Sequence, residues 1–243
     1  MAIPTESQAC LIVFAKTPVR GKVKTRMRPL LSEEDCLRLH SLLLRLWMGR
    51  LRDWDLGQVH KALFLTPLES GRAAPDLFLE VPPGVAVETQ QGSDLGDRLT
   101  HAFNHKWDEG FRKIVFIGTD SPTLRREDLH AAFEALHASE VVLGPATDGG
   151  YYLIGFSARL PILFSRISWG TSQVFPETAQ LLETSAIRWQ CLRESFDLDT
   201  YEDLVNFNRM LKESPTILPG PDGQELAAFV ARLVTPSGTP LCL

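Results

Sequence analysis

The sequence predicts an α/β protein with a mostly parallel sheet and helices on both faces, a three-layer sandwich. Two observations support this prediction. Short apolar runs alternate with segments of helical periodicity along most of the chain, which is typical of a parallel sheet covered on both sides. One pair of apolar runs is joined too closely for a parallel crossover. The sheet is therefore expected to be mixed, with one antiparallel strand.

Seven runs are predicted as strands because they are brief, apolar and bounded by turn-forming residues. They occupy residues 10–15, 62–65, 85–88, 114–117, 141–143, 151–154 and 187–192. The fifth and sixth runs are separated only by GPATDGG (144–150). A connection of this length is typical of a hairpin, so these two strands are expected to be antiparallel.

Five helices are predicted at 32–51, 94–109, 126–138, 172–183 and 201–212. Ser32 is the expected N-cap of the first helix, and the acidic residues 33–35 suit the positive end of its dipole. Residues 1–212 are interpreted as one domain. A Pro- and Gly-rich tail follows over 213–243, and its amphipathic segment 224–234 is expected to dock on the domain or on a second copy in a homodimer.

Composition excludes several classes of protein. The 243 residues carry a net charge of −5, whereas general nucleic-acid binding needs a basic surface. No apolar run approaches the ~18 residues of a membrane span, and the first run lacks the flanks of a signal peptide. The cysteines are scattered, which favours a reducing compartment and a soluble cytoplasmic protein; they are Cys10, Cys36, Cys191 and Cys242.

A basic loop directly follows the first strand. Residues 16–26 read KTPVRGKVKTR, with a turn shaped by Pro18 and Gly21. Ligands of open α/β sheets bind beyond the carboxyl ends of the strands, and lysines, arginines and backbone amides suit phosphates. The loop is not a P-loop, because Val23 stands where that motif needs Ser or Thr. The alternative is a solvated surface loop.

Aspartates follow the fourth strand and precede the last predicted helix. Asp120 lies in GTDSPT (118–123), and Asp197 and Asp199 lie in FDLDT (196–200). Two carboxylates at a spacing of two on an extended segment point the same way and need a neutralising cation or proton. Such oxygen ligands suit Mg²⁺ or Mn²⁺. The alternative is that Asp120 or Ser121, and Asp199 or Thr200, only cap the helices that follow them.

Two further patterns bear on a site. The hairpin TDGGY (147–151) and SWGTS (168–172) would give a backbone-lined pocket with an aromatic wall, although Asp-Gly is also ordinary hairpin chemistry. His101 and His105 lie at helical spacing with Asp97 one turn earlier. Without an HExxH pattern, these histidines are interpreted as helix surface rather than as a metal site.

The ordered motifs resemble a known family. FAKTPVRGKVKTR (14–26), QGSDLGDR (91–98), GTDSP (118–122), TDGGYY (147–152) and DLDT (197–200) occur in sequence. This order is similar to the DUF2064 family, within the nucleotide-diphospho-sugar transferase (GT-A) superfamily, and extends over about residues 9–212. The resemblance implies a Rossmann-like GT-A domain that is a metal-dependent transferase, with a nucleotide or nucleotide-sugar donor and a small-molecule acceptor.

The resemblance also implies the site. Asp120, Asp197 and Asp199 would hold Mg²⁺ or Mn²⁺, and Asp120 and Asp148 would be catalytic, with Asp148 as general base for a hydroxyl acceptor. The nucleotide would be bound by Ala15, Lys16, Arg20, Gly21, Lys24, Arg26, Gln91, Asp94 and Arg98. The acceptor pocket would consist of Thr147, Gly149, Gly150, Tyr151, Trp169 and Thr171.

Three functions stay open at this point. The family label favours sugar transfer from a nucleotide-diphospho-sugar. The segment after the fourth strand carries one aspartate and no DxD motif, which favours nucleotidyl transfer with pyrophosphate release. A non-catalytic protein that binds nucleotides or sugar phosphates is the third, although the three aspartates favour an enzyme.

Overall fold

The computed structural model describes residues 8–68 and 80–234. Within these residues seven strands form one sheet: β1 (Ala9–Ala15), β2 (Val59–Leu65), β3 (Val85–Thr89), β4 (Lys113–Gly118), β5 (Val141–Pro145), β6 (Tyr151–Phe156) and β7 (Trp189–Cys191). The spatial order is β3-β2-β1-β4-β6-β5-β7. Each predicted strand is present, so the strand assignment from the sequence is confirmed.

One strand runs against the others. β6 pairs antiparallel with both β4 and β5, whereas the remaining neighbours pair in parallel. The register between β5 and β6 shifts at Gly144 and Pro145, next to the hairpin. The mixed, mostly parallel sheet with one antiparallel strand is therefore confirmed.

The helices are α1 (Glu33–Asp53), α2 (Leu95–Asp108), α3 (Arg126–Ala135), α4 (Val174–Thr184), α5 (Tyr201–Glu213) and α6 (Gly220–Leu233). Ser32 caps α1 as predicted, because its Oγ accepts the backbone N–H of Asp35 at 3.0 Å. Short 3₁₀ turns at Thr25–Met27, Pro161–Arg166 and Pro215–Ile217 were not predicted, because so few residues carry no periodic signal.

The sheet is buried on both faces. In β1, Leu11 and Val13 pack with α1 and α3, whereas Cys10 and Ile12 pack with α2 and α4. This alternation explains why β1 is an unbroken apolar run, since a strand covered on both sides has no polar face. The carboxyl ends of the parallel strands are left as the open edge of the sheet.

A third apolar cluster joins α1 to the C-terminal helices. The face of α1 that turns away from the sheet contributes Leu39, Leu42, Leu43 and Leu46, and α5 and α6 pack on it. At its border Arg45 pairs with Asp222 and Glu225, each at 3.0 Å. Across the ranges that the structure describes, no helix is long and apolar enough to cross a membrane.

Candidate active site

A cavity of about 650 Å³ lies beyond the carboxyl ends of β1, β3 and β4. Its walls come from the loop after β1, the loop after β4, the β5–β6 hairpin, the segment before α4 and the segment before α5. The expected site residues that line it are Ala15, Lys16, Lys24, Arg26, Arg98, Asp120, Asp148, Gly150, Tyr151, Trp169, Thr171, Asp197 and Asp199. The fold thus brings cations, carboxylates and an aromatic wall into one space.

Some expected residues lie outside this lining. The Arg20 guanidinium pairs with Glu33 at 3.5 Å on the outer side of the basic loop. The Asp94 carboxylate caps α2, because it accepts the backbone N–H of Asp97 at 2.9 Å. Gly21, Gln91, Thr147 and Gly149 are also not among the lining residues. Their proposed contacts with ligands stay predictions.

Lys24 is the central cation of the site. Its side chain is only 3% exposed, and its Nζ lies 2.8 Å from Asp120 Oδ1 and 3.3 Å from Asp199 Oδ1. Nζ also donates to the carbonyl oxygen of Leu198 at 2.5 Å. Burial alone would lower the pKa of Lys24, but the two carboxylates raise it above its ordinary value. Lys24 is therefore a buried, charged ammonium with three oxygen partners.

Asp197 has a different environment from the other two aspartates. Its Oδ1 accepts a hydrogen bond from the hydroxyl of Ser121. Burial, together with the charges of Asp120 and Asp199, outweighs the hydrogen bond from Ser121 and raises the pKa of Asp197 to about 7. By contrast, Lys24 outweighs the effect of burial at Asp120 and holds the pKa of that carboxyl below its usual value. One cavity therefore holds carboxyl groups of different proton affinity.

The aspartates do not serve as helix caps. Thr200 caps α5 with its hydroxyl, while the N-cap of α3 is Arg125, whose N–H donates to Asp128 at 2.7 Å. Asp120 and Asp199 are thus left for Lys24. The capping alternative is therefore correct only for Thr200. Because Thr200 follows Asp199 directly, the sequence could not show which of the two residues caps α5.

Backbone contacts fix the two aspartate segments against each other. The Leu198 N–H donates to the Asp120 carbonyl at 2.8 Å. Behind the Asp120 loop, the buried Arg50 donates to the carbonyl oxygen of Pro122 and Arg193 donates to that of Thr123 at 3.2 Å. These bonds hold the main chain that carries Asp120 against the main chain that carries Asp197 and Asp199.

The far wall of the cavity is aromatic. Tyr151 meets Trp169 edge to face, with ring centroids 5.9 Å apart, and burial raises the pKa of the Tyr151 phenol above its ordinary value. Tyr151 is therefore a neutral wall residue rather than a base. Asp148 is exposed at the hairpin, where its Oδ1 accepts the N–H of Gly150 at 2.9 Å.

Several lining residues were missed by the sequence analysis, among them His40, Thr66 and Gln90. His40 is buried, its Nε2 donates to the Lys16 carbonyl at 2.8 Å, and burial lowers its pKa, so it supports the basic loop as a neutral group. A signal was present, because His40 interrupts the apolar stripe of α1. The Gln90 amide instead ties β3 to Ala15 and Phe64.

The histidine pair on α2 lies on the helix surface. His105 Nε2 lies 3.0 Å from Glu88 and 3.2 Å from Glu109, and the buried Lys106 pairs with the same two glutamates. These contacts hold α2 against β3. Among the residues with described coordinates, no three histidine, cysteine or acidic side chains are arranged as metal ligands.

The aspartates nevertheless suit a hard divalent cation. Asp120 Oδ1, Asp199 Oδ1 and the Leu198 carbonyl all contact one cationic atom, the Lys24 Nζ. The ammonium thus stands in for a cation at a point where three oxygens meet. Oxygen ligands of this kind are those that Mg²⁺ and Mn²⁺ prefer, so the chemistry of the residues present fits such an ion.

Comparisons with known proteins show the family of this chain and the proteins it resembles. Residues 50–171 match a family described as uncharacterized proteins conserved in bacteria, DUF2064. No protein with a curated description matches the chain. A proposed nucleotide-diphospho-sugar transferase from Desulfovibrio desulfuricans G20 is similar in structure, with 28% identity, a TM-score of 0.81, and coverage of 93% of this chain and 98% of that one.

More distant structures share the fold alone. A homologue of Mycobacterium tuberculosis Rv0371c from Mycobacterium sp. strain JC1 is 16% identical, with a TM-score of 0.52 over 85% of this chain and 96% of that one. A 4-diphosphocytidyl-2C-methyl-D-erythritol synthase from Anaerococcus prevotii is 10% identical, with a TM-score of 0.51 over 84% of this chain and 97% of that one.

Proposed function

The chain belongs to the DUF2064 family, and from this premise we propose that it is a metal-dependent enzyme that transfers a group from a nucleotide-activated donor, foremost the sugar of a nucleotide-diphospho-sugar. The likeness to the Desulfovibrio protein over nearly the whole of both chains supports a nucleotide-using transferase. The choice of a sugar as the transferred group rests on that protein's description and on the family.

One observation carries the proposal: the basic loop after β1, Asp120 after β4 and Asp199 before α5 meet in one cavity around Lys24. Phosphates need cations and backbone amides, and a divalent ion that bridges phosphates needs carboxylates on its other side. The lining residues Lys16, Arg26 and Arg98 supply the first requirement, and Asp120 and Asp199 supply the second.

In the proposed sugar transfer, a hydroxyl of the acceptor attacks the anomeric carbon. The bond from that carbon to the phosphate oxygen breaks, and the nucleoside diphosphate leaves with the electron pair. Lys16 and Arg26 stabilise the charge that builds on the leaving group. Asp148, exposed at the cavity wall, takes the proton of the acceptor hydroxyl. A cation held by Asp120 and Asp199, with Asp197 beside them, would supply further charge neutralisation at the phosphates.

A second candidate is nucleotidyl transfer from a nucleoside triphosphate. It is favoured by the single aspartate of the GTD segment (118–120), since a DxD motif would have two. Here an oxygen of the acceptor attacks the α-phosphorus and pyrophosphate leaves. A phosphate acceptor would need no base, so Asp148 would not be required.

A ligand screen separates these candidates. The melting temperature is measured with nucleoside triphosphates and with nucleotide sugars, each with and without Mg²⁺ or Mn²⁺. A ligand at a hundred times its Kd is expected to raise the melting temperature by about 5 °C or more. Release of nucleoside diphosphate then indicates sugar transfer, and release of pyrophosphate indicates nucleotidyl transfer. Binding with neither product would favour the non-catalytic alternative.

Asp120→Asn tests the site itself. We expect this variant to lose the metal-dependent increase in melting temperature, because it removes one of the carboxylates proposed to hold the metal ion. Asp108→Asn, at a surface residue paired with Arg159, serves as the control and keeps the increase. An Asp120→Asn protein that is folded and still shows the full increase contradicts the site assignment.

A further inference from the structure

We propose that Lys24 is an internal competitor for the divalent cation: its ammonium occupies the cation position between Asp120 and Asp199, and a metal ion enters only when Lys24 leaves it, which an anionic ligand that binds the ammonium promotes. The inference concerns the order of binding at the proposed active site, and it rests on the proposed function for the identity of that ligand as a phosphate. Its experiment uses no nucleotide, so the two proposals can fail separately.

The contacts of Lys24 define the position. Asp120 Oδ1, Asp199 Oδ1 and the Leu198 carbonyl approach Nζ from two different loops, at 2.8, 3.3 and 2.5 Å. These are the oxygens that a divalent ion would use, since two of them are carboxylate oxygens and the third is a main-chain carbonyl between the DLD aspartates. An ammonium with three donors satisfies all three acceptors at once.

Burial of Lys24 between the two carboxylates keeps its ammonium in this position. The Lys24 side chain is 3% exposed, while those of Asp120 and Asp199 are 35% and 34% exposed. Removing an ammonium from such a position would leave two neighbouring carboxylates without their nearest cation, which is costly. Arg26 also approaches Asp199, at 3.8 Å, but it is 58% exposed and is a weaker partner.

The main chain is arranged to keep Lys24 in place. Its backbone lies in the left-handed region, with φ of 48° and ψ of 38°, a conformation that a residue with a Cβ rarely adopts. Its carbonyl accepts the N–H of Met27 at 3.0 Å, and Cys36 Sγ lies 3.5 Å from the same oxygen. The root of the side chain is therefore fixed, and only the four-carbon stem can carry Nζ elsewhere.

An ammonium and a divalent ion cannot share these oxygens. Mg²⁺ binds its oxygen ligands at about 2.1 Å, and a second cation that contacts the same oxygens would be strongly repelled. A metal ion can bind only the molecules in which Lys24 has left the position. The apparent affinity for metal is therefore lower than the intrinsic affinity, in proportion to the fraction of such molecules. A phosphate in the cavity offers Lys24 other oxygens, so phosphate binding and metal binding support each other.

The experiment is a titration of the full-length protein with Mn²⁺ alone, with the free ion measured by electron paramagnetic resonance. Lys24→Met removes the charge and keeps the length of the side chain, and Lys24→Gln removes the charge but keeps a hydrogen-bond donor for the Leu198 carbonyl. We expect both variants to bind Mn²⁺ roughly tenfold more tightly than the wild-type protein. Lys16→Met is the matched control, because Lys16 is an exposed cation of the same cavity.

Two results overturn the proposal: a wild-type protein that binds Mn²⁺ as tightly as the Lys24 variants, or equal tightening by Lys16→Met, which would reveal an effect of net charge alone. If circular dichroism shows that neither Lys24 variant folds, the proposal is tested on the wild-type protein instead. Saturating Mg²⁺ should then shift the Nζ resonance of Lys24 in a nuclear magnetic resonance spectrum, assigned by its loss in Lys24→Arg. An unchanged resonance with Mg²⁺ bound would refute displacement.

Discussion

Arg193 and Asp128 form a bidentate ion pair, with Nε 2.6 Å from Oδ1 and Nη2 2.6 Å from Oδ2. Asp128 is buried in the first turn of α3, and Arg193 lies on the segment that leads to Asp197. The same Nη2 donates to the Thr123 carbonyl at 3.2 Å. One side chain therefore links the loop that carries Asp120 to the segment that carries Asp197 and Asp199.

Replacing this arginine should loosen both aspartate loops. We expect Arg193→Met to lower the free energy of unfolding by about 2 kcal/mol, because a mostly buried carboxylate loses its partner. Urea denaturation measures the change. Arg188→Met is the control, since Arg188 is 72% exposed and contacts Glu140 at 3.4 Å, and it should cost less than about 0.5 kcal/mol. Equal losses in the two variants would argue against a special role for Arg193.

The exposed cations of the basic loop should act through charge. We expect the double variant Lys16→Ala, Arg26→Ala to weaken nucleotide binding by a larger factor at low salt than at high salt, because solvent-exposed charges are screened. Isothermal titration at two salt concentrations measures the effect. A loss that is the same at both concentrations would indicate that these side chains act by packing.

Asp197 should make stability depend on pH. Burial raises its pKa from 3.8 to about 7, so the folded protein keeps a proton between these values that the unfolded chain has released. Stability contributed by this group is therefore greatest at low pH and falls as pH rises through the window. We expect it to decrease by about 2 kcal/mol between pH 5 and pH 8.

The Asp197→Asn variant isolates that contribution. Urea denaturation gives the free energy of unfolding of the wild-type protein and of the variant at pH 5 and at pH 8. The contributions of the other titrating groups largely cancel when the two proteins are compared. The variant should lack the decrease that Asp197 causes. If the two proteins lose the same stability between pH 5 and pH 8, the pKa of Asp197 is not raised.

A glycine of the β5–β6 hairpin should tolerate no side chain. Gly149 has φ of +88°, and an added Cβ would overlap with the carbonyl oxygen of Ser172. We expect Gly149→Ala to cost about 3 kcal/mol of stability and to move Asp148. Gly57 has a similar φ of +65° with nothing within 4 Å of an added Cβ, so Gly57→Ala should cost only about 1 kcal/mol. Urea denaturation compares them, and equal costs would exclude the overlap with Ser172.

The secondary structure could be predicted because its signals are local. The β1 run CLIVFA is buried on both faces, and the seven residues 144–150 between the fifth and sixth predicted strands leave room only for a hairpin. The 3₁₀ turn Thr25–Met27 escaped prediction. It matters for the site, because its left-handed N-cap is Lys24, the residue that enters the carboxylate cluster.

The sequence by itself determined the α/β class, the mixed sheet and the loops that carry the chemistry, since strand and helix patterns repeat within a few residues and strand ends place those loops at one edge. Only the tertiary structure decided which charges meet. Lys24, Asp120 and Asp199 come from three separate segments, and in sequence Lys24 looks like the other basic residues of its loop. Its burial at 3% exposure and its contact with both aspartates depend on long-range packing, which no local pattern encodes.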